Sequence, residues 1–382
     1  MPERYVLQQK QALPLEAKIK LTKQRIKEWV DEFGEDGVYV SFSGGKDSTL
    51  LLHIVRELYQ RIPAVFIDTG LEYPEIRDFV KSFNNCYLVK PKMTFRHVIE
   101  KYGYPFISKE VAECVPGAKK YLTRLIKEEH LTPRLGGGDV VNSYELAKAV
   151  EKRPKGDGQR YRLARLLGIL QKDNTVNANI LNHNRSMFSQ VKYKFLLEAP
   201  FEISNQCCNI MKKNPAHKYY KETGRVPITA QMASESKMRT QQWIRNGCNG
   251  FNLKIPTSNP MSFWTEQDVL LYIKKYHIPI CSVYGDIVDK NGNDIDLSNY
   301  EDNGLFEIDR PFLKTTGCTR TGCMFCGFGC HLEKDGEGRF ELMKKTHPKQ
   351  YDYIMRPKES GGLDYKSVID WINEHGNLNI KY

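Results

Sequence analysis

The sequence predicts an α/β fold built on a doubly wound, mostly parallel sheet, with a helical basic insertion and a cysteine-rich C-terminal region. Two patterns carry that expectation. Between residues 38 and 89 short apolar strands (Val38–Phe42, Ala64–Asp68, Cys86–Val89) alternate with helical stretches (Asp47–Gln60, Pro74–Ser82), as strands joined by crossover helices do. After a long interruption the alternation resumes at Val226–Ala230 and Thr265–Tyr276. A chain of 382 residues also exceeds the ~150 residues of an average domain, which predicts two or three units.

The elements follow in order. Residues 14–33 place apolar residues at helical spacing and stop at Gly34, the pattern of an amphipathic helix with a glycine end. From Val115 to Pro200 the alternation is lost, and Gly136–Gly138 and Arg153–Gly158 mark loops in a mostly helical stretch. Thr265 reads as the N-cap of its helix, with Asp268 at the third helical position. Residues 283–302 are acidic and carry Asn291-Gly292, a hairpin-turn signal. The tail ends in a helix around Asp364–Glu374. The chain thus divides into an N-terminal helix (1–35), an α/β domain (36–114 and 200–282), the insertion (115–199) and a C-terminal region (283–382).

Composition narrows the function. No apolar run approaches the ~18 residues of a membrane span, and the opening MPERYVLQQK lacks the apolar core of a signal peptide. A cytoplasmic protein with no membrane partner is expected. Ten cysteines in such a chain are not read as a disulfide framework; clustered thiols there hold metal or do redox chemistry. Six are clustered, Cys207 with Cys208 and then Cys318, Cys323, Cys326 and Cys330, whereas Cys86, Cys114, Cys248 and Cys281 read as small buried hydrophobes. The net charge of +11 is concentrated, with 16 Lys and Arg against 7 Asp and Glu from Gly117 to Lys194. Such a segment suits a polyanion such as DNA or tRNA, although a solvated basic face is the commoner reason.

The string Ser43-Gly44-Gly45-Lys46-Asp47-Ser48 lies between a strand and a helix, where unpaired N–H groups and the helix dipole converge on an anion. The glycines let the main chain approach a phosphate. Ser43, Ser48 and Thr49 add hydroxyls, Lys46 adds charge, and Asp47 is a candidate to hold magnesium or accept a hydrogen bond. The string is not a Walker loop, which needs four residues between its first glycine and Gly-Lys. A plain glycine turn with a solvated lysine is the competing reading. Cys318, Cys323, Cys326 and Cys330 share one glycine-rich loop, and such a set binds zinc or an iron–sulfur cluster, which spacing alone separates poorly.

These residues also carry a resemblance. SFSGGKDSTLLLHIV resembles the pyrophosphate-binding loop of the adenine-nucleotide alpha-hydrolase superfamily, in its phosphoadenosine phosphosulfate (PAPS) reductase family. AVFIDTGLEYPEIRDFV resembles that family's second strand and helix, ITAQMASESKMR its third motif and NPMSFWTEQDVLLYI a later helix. The resemblance implies an adenine-nucleotide site, for ATP or an adenylyl sulfonucleotide with Mg2+, in which Ser43, Gly44, Gly45, Lys46, Asp47 and Ser48 bind phosphate. Asp68 and Gly70 would line the nucleotide, and Glu235 and Arg239 would complete the site. By analogy with the family's iron–sulfur branch, Cys207, Cys208, Cys323 and Cys326 would hold a [4Fe–4S] cluster, with zinc the alternative and Cys318 and Cys330 as alternative ligands. Lys212 and Lys213 would lie near the substrate's acidic groups, and a sulfur-donor or electron-donor protein would be a partner.

The resemblance breaks at two points. Where the family's reductases have an arginine facing the sulfonate, this chain has Met232, in Ala230-Gln231-Met232. The reductases' C-terminal nucleophilic cysteine is also missing, leaving Cys330, beside His331, as the candidate catalytic thiol next to Lys46 and Asp47. The expectation that follows is ATP-dependent sulfur transfer, with phosphoadenylyl- or adenylyl-sulfate reduction and a nucleic-acid-binding factor with a regulatory nucleotide site as alternatives.

Overall fold

The computed structural model describes residues 4–131, 142–301, 310–334, 336 and 338–382. The loop expected at Gly136–Gly138 lies outside the described residues. The chain separates into two compact units, Met1–Lys92 with Met211–Cys323, and Met93–Ile210 with Met324–Tyr382. This division cuts across the four segments read from the sequence: the basic stretch shares its unit with residues 93–114 and with the C-terminal tail.

In chain order the strands are β1 (Val38–Ser41), β2 (Ala64–Ile67), β3 (Cys86–Val89), β4 (Phe106–Ile107), β5 (Val226–Ile228), β6 (Asn249–Gly250), β7 (Thr257–Ser258), β8 (Ile287–Asp289), β9 (Leu313–Thr315) and β10 (Gly327–Phe328). The first unit holds a six-stranded sheet in the order β3-β2-β1-β5-β7-β6. Every neighbouring pair is parallel except β6 with β7. The chain winds outward from β1 to β2 and β3, then returns to β1's other side at β5. The carboxyl ends of β1 and β5 therefore flank a topological switch point, where doubly wound sheets open a crevice.

Helices Leu15–Phe33 and Lys46–Leu58 form as the spacing predicts and bury Leu15, Ile19, Ile26 and Trp29, and Leu50, Leu51, Ile54 and Val55 respectively. Helix Glu266–Lys275 starts at the predicted cap: Thr265 N–H donates to Asp268 Oδ2 at 2.6 Å, and Asp268 N–H donates back to Thr265 Oγ1 at 3.4 Å. Asp268 also takes a buried ion pair from Lys18 at 2.7 Å, which joins that helix to Leu15–Phe33. The turn at Asn291-Gly292 is present, with Gly292 N–H donating to Asp289 O at 3.1 Å. The strand that β8 pairs with is β9, at Leu313–Thr315, rather than the residues directly after the turn; pairing register is settled by what packs, not by the turn alone.

The second unit is mainly helical. Helix Lys109–Glu128 begins before the expected insertion, and it is joined by Tyr144–Lys152, Gly158–Leu167 and the terminal Tyr365–Gly376. Several basic side chains of the stretch are held within this unit. Lys119 Nζ donates to Ala199 O at 2.8 Å, and the buried Arg160 donates to Val150 O at 2.8 Å. Arg153 pairs with Glu128 and Glu129 at 2.8 and 2.7 Å, Lys148 with Glu151 at 2.8 Å and Arg124 with Asp157 at 3.3 Å. β4 and β10 pair in parallel beside an aromatic cluster centred on Tyr365, whose ring lies 5.6 Å from Tyr104 and 5.1 Å from Phe106.

Candidate functional site

The loop from Ser43 to Ser48 leaves β1 at the switch point and turns directly into helix Lys46–Leu58. Gly44 has φ +70°, and a methyl group there would stand 2.7 Å from Val80 Cγ2 and 2.9 Å from Ile76 Cγ2, so both backbone and packing require glycine. The Ser48 hydroxyl donates to Gly45 O at 3.0 Å and accepts the Ser43 N–H at 3.2 Å. With its proton spent, it also accepts from Ser43 Oγ at 3.0 Å. Thr49 Oγ1 donates to Gly45 O at 3.0 Å. These bonds set the turn before any ligand is considered.

Lys46 is 2% exposed. Its ammonium donates to Thr319 O at 3.0 Å and pairs with Glu266 at 3.2 Å and Asp47 at 3.6 Å. Its backbone N–H donates to the Tyr284 hydroxyl at 3.1 Å, which lies 2.6 Å from Thr321 Oγ1. Burial pushes the Tyr284 phenol up to about 12, so it stays neutral. Burial likewise raises the Asp47 carboxyl, against the opposing pull of Lys46 and Arg320, and its Oδ1 is buried without a hydrogen-bond partner.

Asp68 ends β2 as expected, but it is tied to Arg77 at 3.0 Å and accepts the Gly70 N–H at 3.3 Å. Glu235 accepts the Met232 N–H at 3.0 Å and pairs with Arg239 and, at 3.8 Å, with Arg320. Met232 is buried, away from any role as a charged contact.

A cavity of about 420 Å3 opens beside the loop. Ser43 is the loop residue that lines it, with aromatic walls from Tyr39, Phe42, Phe66 and Tyr220 and the lysines Lys212 and Lys213. Gly44, Gly45, Lys46, Asp47, Ser48, Asp68, Gly70, Glu235 and Arg239 do not line it. The sequence reading missed Thr229 and Gln231, just past β5, and Thr321 and Gly322. The signal for the first pair was their position after a parallel strand at the switch point; no signal in the sequence pointed to the second.

The cysteines divide between the units. Cys318 and Cys323 belong to the first unit, and Cys207, Cys208, Cys326 and Cys330 to the second. In the second unit the Cys208 and Cys326 thiols interact electrostatically, and Tyr365 feels Cys207, Cys326 and Cys330. Tyr365 donates to Phe325 O at 2.7 Å and Arg339 to Cys326 O at 2.7 Å, which fixes the main chain around Cys326. Among the described residues no three or more His, Cys, Asp or Glu stand close enough to hold one metal ion. A structural zinc is held by four such thiolates on one ion. An iron–sulfur cluster spreads them over several irons, and thiolate donors suit either group. Cys330 is buried and donates its S–H to Gly327 O at 2.8 Å, and burial pushes its thiol up to about 12.

Among the described residues no helix is long and apolar enough to cross a membrane. A mostly parallel α/β sheet with a glycine turn and a cavity at its switch point defines a protein of the doubly wound class. The chain matches the phosphoadenosine phosphosulfate reductase domain over residues 37–137 and 160–327, and it belongs to that family. It is 30% identical over 124 residues to an uncharacterized protein of Methanocaldococcus jannaschii, a match spanning 31% of this chain and 30% of that protein. A phosphoadenylyl-sulfate (PAPS) reductase of Candida auris, solved as a phosphate complex, aligns with a TM-score of 0.34 at 14% identity, over 72% of this chain and 90% of that one.

Proposed function

We propose that this chain is a cytoplasmic enzyme that binds ATP in the 420 Å3 cavity and uses it for sulfur transfer, rather than reducing a sulfonucleotide. The observation that carries the reading is the cavity itself. It sits at the switch point, reaches Ser43 of the glycine turn, and combines aromatic walls suited to a purine with two lysines suited to phosphates. In the reaction an acceptor oxygen attacks the α-phosphorus of ATP and pyrophosphate leaves, with Mg2+ offsetting its charge. A sulfur nucleophile from a donor protein then displaces AMP from the adenylated acceptor.

Two features weigh against reduction. Met232 is buried and apolar, and the thiol of Cys330 is buried and bonded to a carbonyl, whereas attack on sulfur needs an accessible thiolate. The cysteine-bound [4Fe–4S] cluster expected from the resemblance would supply sulfur or electron chemistry. Nucleic-acid binding through the basic stretch 117–194 is the alternative, and a steep fall of tRNA or duplex-DNA affinity with salt is its signature.

The test is a pair of measurements on anaerobically prepared protein: calorimetry with ATP, and sulfite release from PAPS and adenylyl sulfate supplied with thioredoxin. ATP binding with negligible sulfite is expected. Brisk sulfite release that disappears in Cys330→Ser would establish a reductase instead.

A further inference from the structure

We infer that Arg320 is the anion-binding residue at the rim of the cavity, holding the acidic end of the ligand's phosphate chain. This rests on the proposed nucleotide reading and adds a residue that neither the loop string nor the third motif contains.

The argument begins with Lys46, the cation the loop sequence offers for that role. An ammonium has three protons to donate. Lys46 donates to Thr319 O at 3.0 Å, pairs with Glu266 at 3.2 Å and lies 3.6 Å from the Asp47 carboxylate, and it is 2% exposed. Its charge is committed to holding the Thr319 main chain against the loop. That tether brings the next residue to the loop. On the other side of Arg320, Thr321 Oγ1 lies 2.6 Å from the Tyr284 hydroxyl, which itself accepts the Lys46 N–H. Further back, Gly317 N–H donates to Tyr284 O at 2.8 Å and Cys318 N–H to Val283 O at 2.9 Å. The backbone is therefore pinned before and after Arg320, which fixes where its side chain starts.

The side chain itself is loosely held. It is 57% exposed, and its pair with Glu235 spans 3.8 Å, beyond hydrogen-bond distance. Glu235 is also shared with Arg239 and with the Met232 N–H, so two guanidiniums face one carboxylate. The Arg320 charge reaches both Asp47 and Arg239, which places it between the loop and the third motif. Thr321 and Gly322, directly after it, line the cavity with Ser43 and Gln231. A guanidinium presents five donors in a planar fork that matches two phosphate oxygens, and none of the cavity's lysines offers that geometry.

The experiment compares the full chain with Arg320→Gln and Arg320→Lys by calorimetry, with ATP, inorganic pyrophosphate and adenosine as ligands. Arg320→Gln is expected to weaken ATP and pyrophosphate roughly tenfold or more and leave adenosine unchanged, since one charge-assisted contact is lost. Arg320→Lys should recover part of the loss, and unfolding midpoints should coincide because the residue is exposed. If wild type binds ATP and Arg320→Gln binds ATP and pyrophosphate equally tightly, or loses adenosine in proportion, the assignment falls while the nucleotide reading stands. If wild type binds neither ATP nor pyrophosphate, both fall.

Discussion

Replacing Gly44 by alanine tests the geometry of the phosphate loop with a built-in control at Gly70. The two glycines have nearly the same backbone, φ +70° and +74°, so alanine incurs the same conformational penalty at each, about 1–2 kcal/mol for an L-residue in the left-handed region. They differ in what the added methyl meets. At Gly70 nothing lies within 4 Å, whereas at Gly44 the methyl would stand 2.7 Å from Val80 Cγ2 and 2.9 Å from Ile76 Cγ2. Both neighbours are core residues, 0% and 1% exposed, and neither can swing away. Overpacking of that kind adds about 1–3 kcal/mol. Gly44→Ala should therefore cost about 2–5 kcal/mol and Gly70→Ala about 1–2 kcal/mol. The assay is urea unfolding of the full chain for all three proteins, followed by a fluorescence probe that reports the first unit, where Trp29, Trp243 and Trp264 are buried. Equal losses at the two sites would refute the close approach of the loop to helix Pro74–Lys81. No loss at Gly44 would refute the turn itself.

Two further outcomes are expected. Burial raises the Asp47 carboxyl above its ordinary 3.8, so the folded state binds this proton more tightly than the unfolded chain does, and stability from this group falls as pH rises from about 3.8 through the raised value. Asp47→Asn should remove that slope, which pH-dependent unfolding of wild type and variant will show; parallel curves would refute it. Anaerobically isolated protein should be brown with about four irons per chain, with the iron lost in Cys208→Ser and Cys326→Ser but kept in Cys86→Ser. Iron and zinc analysis decides this, and a colourless protein with stoichiometric zinc would defeat the cluster.

The sequence alone determined what local rules govern. Apolar runs broken by amphipathic helices dictated a parallel sheet, because a strand flanked by crossover helices has nowhere else to go. Gly44 and the Thr265–Asp268 cap were legible for the same reason: each depends on backbone angles and bonds within a few residues. The loop string was equally visible as a glycine turn between a strand and a helix.

Tertiary structure decided the rest, because it depends on which distant residues the fold brings together. No local signal showed that Lys46 would be taken up by Thr319 and Glu266, more than two hundred residues away, leaving Ser43 as the loop residue that reaches the cavity. Nor did spacing foretell that Cys207, Cys208, Cys326 and Cys330 would share one unit while Cys318 and Cys323 belong to the other. The basic stretch shows the same dependence on the fold: its 16 Lys and Arg against 7 Asp and Glu are legible in the sequence, but which of them meet, as Arg153 meets Glu128 and Glu129 and Arg124 meets Asp157, is not, since net charge counts residues whereas a surface potential depends on their placement. Arg320 stands out for the same reason: its place beside Asp47, Glu235 and Arg239 is made by long-range hydrogen bonds through Tyr284 and Lys46, which no spacing rule encodes.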